Sequence, residues 1–238
     1  MKVITFFATT LACFALLLVE TPALAQQLQG NGNIQKETRQ ASGFTGINIS
    51  GGFAVELTQG NNEGVVLEAE ENLLSQISTE VKNGVLHIYN QGNLTSHKGM
   101  KAYITIKELR SVDISGGVKL VGHSTFKANT MKLDLSGGSK VALALDVKTL
   151  NADMSGAAKV ELSGRADQVK LDLSGATKLS AEQLEAKQVK VEANGASKVN
   201  VFARESLEIK ASGASSVAYK GSPGITAETS AAAKVSKL

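Results

Sequence analysis

Charged side chains recur through the second half of this 238-residue chain at a nearly constant spacing. Asp113, Asp134, Asp153 and Asp172 are continued at equivalent places by Glu192 and Glu228, and Lys119, Lys140, Lys159, Lys178 and Lys198 are continued by Lys234. One charge per repeat is a pattern for contacting something extended, such as a polysaccharide, a row of cations or a partner protein surface. It is a poor pattern for a metal centre. Calcium takes about 6–8 oxygen ligands, and one carboxylate per repeat, without a Gly/Asp-rich calcium nonapeptide, brings too few to one point. The plainer alternative is a solvated exterior on which the two rows offset each other's self-repulsion.

Other chemistry is thinly represented. His87, His97 and His123 fall in different segments with no HxxxH or HxH spacing, so they do not form a ligand set or a general base with a partner. The single cysteine, Cys13, lies in an apolar amino-terminal run. There is no nucleophile elbow and no Walker loop. The sequence therefore predicts no catalytic residues, cofactor or metal. A carbohydrate-active enzyme on the same scaffold remains the competing reading, because such enzymes use carboxylates on one face and a fold alone does not exclude them.

The charges are positioned by an internal repeat, the sequence signature of stacked architectures. Val112-Asp113-Ile114-Ser115-Gly116-Gly117, Leu133-Asp134-Leu135-Ser136-Gly137-Gly138 and Leu171-Asp172-Leu173-Ser174-Gly175-Ala176 share one pattern. From Ser115 the Ser or Asn marker recurs after 21, 19, 19, 20, 18 and 18 residues, at Ser136, Ser155, Ser174, Asn194, Ser212 and Ser230. Residues one, three and five before the marker are mostly apolar, and the alternation resumes five and seven after it. Period-two alternation on both sides of a Gly corner means two short strands joined by a bend, each with one buried face, followed by a short polar return. Such a unit buries its face only by stacking on its neighbours, which predicts an all-β, right-handed parallel β-solenoid of about 20 residues per coil and roughly ten coils. Alternation turns the acidic and basic columns outward. The Gly after each marker fits a bend with positive φ. The Gly-or-Ala column after it suggests an inward corner with no room for a larger side chain.

Ser50 and Ser115 are 65 residues apart, so the first part is elaborated. Asn83-Gly84 predicts a hairpin between Ile77–Lys82 and Val85–Asn90, and Lys101–Ile106 reads as another strand. Residues 26–45 read as a polar leader or first layer, followed by a solenoid domain over 46–238.

Residues 1–25 carry Lys2, an apolar run from Val3 to Val19 and the triplet Ala23-Leu24-Ala25, the pattern of a secretory signal peptide with an A-x-A cleavage site. Lipidation at Cys13 is a minority alternative. After cleavage no membrane-spanning segment is expected, and the protein would be periplasmic, on the outer-membrane surface or secreted. The formal charge of +3, with Lys and Glu interspersed, argues against a nucleic-acid partner. With no Trp and 4% aromatic residues, the core must be aliphatic.

The run Gly43 to Gly60, with Gly46-Ile47-Asn48 ahead of the first corner, the segment Glu68 to Leu74, the Asn83-Gly84 hairpin and the repeated Ser-Gly-Gly and Ser-Gly-Ala corners together carry a family likeness. The chain resembles the putative auto-transporter adhesin, head GIN domain family over about residues 30–238. The resemblance implies a right-handed β-helix at the cell envelope and brings no reaction and no catalytic residues. The expectation is a non-catalytic binding or adhesin-like module, with an envelope glycan or surface protein as partner; a purely structural envelope protein is the third reading.

Overall fold

The computed structural model describes residues 27–230 and 232–238, so the proposed signal peptide and Cys13 lie outside the described residues. Chain order begins β1 (Leu28–Gln29), β2 (Ile34–Arg39), β3 (Gly46–Gly51), β4 (Phe53–Gln59), β5 (Gly64–Glu70), α1 (Glu71–Leu74), β6 (Ile77–Lys82), β7 (Val85–Asn90), β8 (Leu94–Thr95), β9 (Met100–Ile106) and β10 (Ser111–Gly116). The regular coils follow as β11 (Lys119–Leu135), β12 (Lys140–Met154), β13 (Lys159–Leu173), β14 (Lys178–Ala193) and β15 (Lys198–Ala211), and the chain closes with β16 (Ser216–Lys220), β17 (Gly224–Thr229) and β18 (Lys234–Lys237). Parallel pairing runs from β3 through β10, β11, β12, β13, β14 and β15 to β16 and β18. The result is a β-solenoid of about 7 turns with about 19 residues per turn.

The turn count falls short of the ten expected from length because the first part does not coil regularly. Between β4 and β10 the chain turns back on itself. β5 pairs antiparallel with β2 and β9, and β6 pairs antiparallel with β7 across the Asn83-Gly84 turn, where Asn83 takes φ 51° and Gly84 φ 74°. The segment expected to be a polar leader or first layer thus supplies β2 as an added strand. Glu70, fully buried, ties it down by accepting hydrogen bonds from the Gly32 amide (3.0 Å), the Ser96 hydroxyl (2.6 Å) and the His97 amide (3.1 Å). The Ser96 bond, followed by the two amides, holds the Glu70 carboxyl below the ordinary carboxylate range against the opposing effect of burial.

Each regular coil is more continuous than the sequence suggests. The polar return is also β structure, because Leu145, Val147, Ala166, Leu184 and Ala186 turn inward there and pair in register with their neighbours. The chain therefore breaks only at the marker corner. The inward columns behave as expected: Leu133 and Leu135, Ala152 and Met154, Leu171 and Leu173, Val191 and Ala193 before the corner, and Val141, Val160, Leu179 and Val199 after it, are all buried. Burying aliphatic side chains at about 25 cal/mol per Å² is the main force holding stacked coils together.

The corner is where glycine is required. Gly137 has φ +78°, and a Cβ there would lie 2.8 Å from the Gly116 carbonyl oxygen and 2.9 Å from its nitrogen. The parallel ladder runs through these stacked turns, with Gly138 N to Gly116 O at 3.0 Å and Ala157 N to Gly137 O at 2.9 Å. The following Gly-or-Ala column, by contrast, faces solvent rather than an inward corner: a Cβ at Gly138 would meet nothing within 4 Å, and Ala157, Ala176 and Ala196 are exposed. The inward position is one residue later. Val118, Ser139, Ala158, Thr177, Ser197 and Ser215 are buried there, and Thr177, Ser197 and Ser215 donate to the carbonyls of Ser174, Asn194 and Ser212 at 2.8–2.9 Å.

Variable coil length is absorbed away from the corner. Register shifts fall between Val121 and Thr125, between Glu161 and Ser163, between Ala181 and Glu185 and between Ala186 and Gln188, so the columns on both sides of the corner stay in phase.

Candidate ligand-binding face

The basic column lies on the face that follows the corner. Lys119, Lys140, Lys159, Lys178 and Lys198 are consecutive partners in the parallel ladder, and all are exposed. Neighbouring strands sit about 4.8 Å apart, so the five lysines stand one above another in a single file along the sheet. It ends at Ala54 on one side and at Ser216 on the other, and Lys234 resumes it one layer beyond Ser216. The column beside it, Val121, Ala142, Glu161, Ser180 and Asn200, is nearly free of charge. Its one carboxylate, Glu161, pairs with Lys159 at 2.9 Å and is held below the usual range by that bond and charge. Among the described residues Lys119, Lys140, Lys178 and Lys198 make no ion pair within 4.0 Å. A shallow groove of about 150 Å³ runs past Lys119, Lys140 and Lys159.

The acidic column lies on the face that precedes the corner. Asp113, Asp134, Asp153, Asp172 and Glu192 are in register, followed by Lys210 and Glu228. Its neighbouring column holds Lys132, Asn151, Lys170 and Lys190. Lys132 approaches Asp134 at 3.6 Å, and Lys190 approaches Glu192 at 3.4 Å and Glu208 at 3.0 Å. Among the described residues, Asp134 and Glu192 of the acidic row have a lysine partner within 4.0 Å, both from their own face, and in the basic row Lys159 is paired with Glu161. Asp113, at the head of the row, is pushed above the ordinary carboxylate range by shielding from water and by the Asp134 charge beside it, against a 2.9 Å bond from Asn48 Nδ2.

The face carrying the return was not singled out by sequence reasoning. There Arg165 meets Asp146 at 3.6 Å, Lys187 meets Asp167 at 2.7 Å and Arg204 meets Glu185 at 2.6 Å, each pair joining adjacent coils around a groove of about 780 Å³. These ions satisfy one another. A smaller groove of about 360 Å³ is lined by Glu161 and Glu182, and Glu182 Oε2 is buried without a hydrogen-bond partner.

The histidines lie in different layers. His87 extends the acidic column beyond Asn48, the His97 amide serves Glu70, and His123 Nε2 bonds Glu56. Among the described residues no three His, Cys, Asp or Glu side chains gather as a metal site, and no helix is long and apolar enough to cross a membrane.

The model of the family described as "Putative auto-transporter adhesin, head GIN domain" matches residues 43–223, stopping short of the last coil. No curated protein matches. A solved structure of a protein described as a "putative adhesin" from Bacteroides fragilis superposes with a TM-score of 0.84 at 21% identity, covering 89% of this chain and 100% of the other. A "putative lipid binding protein" from Parabacteroides distasonis gives 0.75 at 19% identity, covering 90% of this chain and 100% of the other. A "putative adhesin" from Parabacteroides merdae gives 0.67 at 16%, with the same coverages of 90% and 100%. These likenesses show that the solenoid fold is shared.

Proposed function

Since the chain belongs to the putative auto-transporter adhesin, head GIN domain family, we propose that it is an exported, non-catalytic binding module that holds an extended acidic glycan along the lysine file. The observation that carries this reading is the register of Lys119, Lys140, Lys159, Lys178 and Lys198, five exposed amines of which only Lys159 is ion-paired within its face. A linear polymer with regularly placed carboxylates or sulfates can follow such a file one coil at a time. Each contact is a weak surface ion pair, worth about 0–1 kcal/mol alone. Affinity comes from linking several of them, which raises the effective concentration of each next contact. Export is supported by the signal-peptide pattern of residues 1–25 and by the adhesin description of the family.

The second reading, a carbohydrate-active enzyme, is favoured by one observation, the groove that holds Glu161 and the unpartnered Glu182 oxygen. In that reading Glu161, held ionised by Lys159, would be the base and Glu182 the proton donor that glycoside cleavage also needs. One experiment separates the two readings: incubating the full chain with acidic and neutral polysaccharides while following retention and the release of reducing ends. Salt-sensitive retention of acidic polymers without release supports the binding module. Release that is lost in Glu182→Gln would put the enzyme first.

A further inference from the structure

The tail of the solenoid differs from its head. At the head, β6 runs antiparallel to β7, and Leu73, Leu74 and Ile77 lie buried beneath the elaborated segment. At the tail, among the described residues, β17 pairs only with β15 and β18 only with β16, and the outer edges of both strands have no partner strand there. All six residues of β17 are exposed. Ile225 continues the inward column of Leu207, yet it is 43% exposed where Leu207 is 1%. An open edge of this kind invites another strand unless it is blunted. Lys234 and Lys237 would blunt it if they stood alone.

They do not stand alone, because the columns of β17 and β18 match one another in sequence across the turn between them. Glu228 lies on β17 as far before the middle of the turn as Lys234 lies after it on β18, and both belong to outward columns. Ala227 and Thr229 on the inward side of β17 mirror Val235 and Ala233 in the same way. A two-fold axis bisecting the turn between β17 and β18 lays β17 of one copy antiparallel on β18 of another. Glu228 then faces Lys234 of the second copy, and Ala227 faces Val235 of the second copy. Residues directly opposite in an antiparallel pair have Cβ atoms about 4.5–5.5 Å apart, and opposite charges there attract. Symmetry makes each contact twice.

We propose that the chain forms a tail-to-tail homodimer, with β17 of each copy pairing antiparallel with β18 of the other. The interface is isologous, so its own two-fold closes it at two. The dimer carries two lysine files on one long body, and it stands or falls independently of what those files bind.

The test is sedimentation equilibrium of the full chain, as recovered after export, at low salt across the micromolar range. Four proteins are compared: the unaltered chain, Glu228→Lys, Lys234→Glu, and the double exchange. Glu228 also lies beside Lys210 in its own stack, so thermal midpoints of all four are measured alongside and the comparison is made below the lowest of them. We expect a monomer–dimer equilibrium that each single change weakens about tenfold, by replacing two attractions with two repulsions, and that the double exchange restores. A monomer throughout, oligomers beyond two, a dimer indifferent to the single changes, or a double exchange as weak as the singles would each overturn the proposal. So would a monomer whose β17 amides resist hydrogen exchange, since another segment of the chain would then occupy the edge.

Discussion

The Cβ that Gly137 lacks would lie 2.8 Å from the carbonyl oxygen of Gly116 in the coil before it, whereas a Cβ on the adjacent Gly138 would touch nothing. Two neighbouring glycines therefore have opposite tolerances. Gly137→Ala meets backbone that cannot give way and also a φ of +78°, and it should cost about 2 kcal/mol or more. Gly138→Ala should stay within about 0.5 kcal/mol, the usual range of a surface change. Denaturant unfolding of the two variants checks this; equal losses would mean that the corner columns are misassigned.

The two faces of one strand make a second pair. Leu173 is fully buried and Asp172 is not. Leu173→Asp puts an unpaired carboxylate between coils at a cost of several kcal/mol, comparable to the stability of a whole domain. Asp172→Asn should barely move the thermal midpoint. Similar midpoints for both variants would contradict the inward and outward assignment.

Glu68 gives a pH dependence. It bonds Lys101 at 2.8 Å and Tyr103 at 3.0 Å and pairs with Lys36 at 3.2 Å, and these contacts, led by Lys101, bring its pKa down to about 2. A carboxyl depressed on folding stabilises above its unfolded pKa of 4.5 and loses that contribution as pH falls towards 2. Glu68→Gln should therefore lower stability at neutral pH by about 2 kcal/mol, the scale of charged hydrogen bonds. The deficit should shrink between pH 4.5 and pH 2. A deficit constant across that window in thermal melts would show that packing, not charge, is responsible.

The coil is also a unit that can be removed. Deleting Gly156 through Ser174 joins Ser155 to Gly175 and keeps every column in phase, so the product should fold as a shorter solenoid. Deleting only Gly156 through Gly164 leaves the strands above and below without partners for their backbone groups and should be far less stable. Circular dichroism and thermal melting compare the two; a whole-coil deletion that melts no better than the half-coil deletion would refute stacked, additive coils.

How much of this was legible in the sequence depended on regularity. The columns of Leu171, Leu173 and Val160 and the lysine file could be read because alternation and a fixed corner determine direction, and the structure buries or exposes them accordingly. The buried hydroxyls of Thr177, Ser197 and Ser215 were missed because polar residues suggest an exterior, although they share the parity of Leu179, Val199 and Val217 two residues on. The Ala157 and Ala176 column was read as inward from its small size, and the structure gives no reason for that size. The antiparallel packing of β2, β5 and β9 left no trace because it is formed once and does not repeat. Glu70 could not be foreseen as buried, since its partners come from Gly32, Ser96 and His97, far apart in sequence.

The salt dependence of acidic-glycan binding tests the central claim most directly. A file of separate amines releases counterions one by one, so the slope of log affinity against log salt should fall by about one for each contacting lysine removed. The full chain is compared with Lys140→Gln, with Lys140→Gln/Lys178→Gln, and with Lys132→Gln/Lys170→Gln on the other face. Stepwise loss of slope and affinity in the first two, with the third unchanged, is the predicted result. Slopes unaffected by Lys140 and Lys178, or lost equally when Lys132 and Lys170 are changed, would contradict binding along the file.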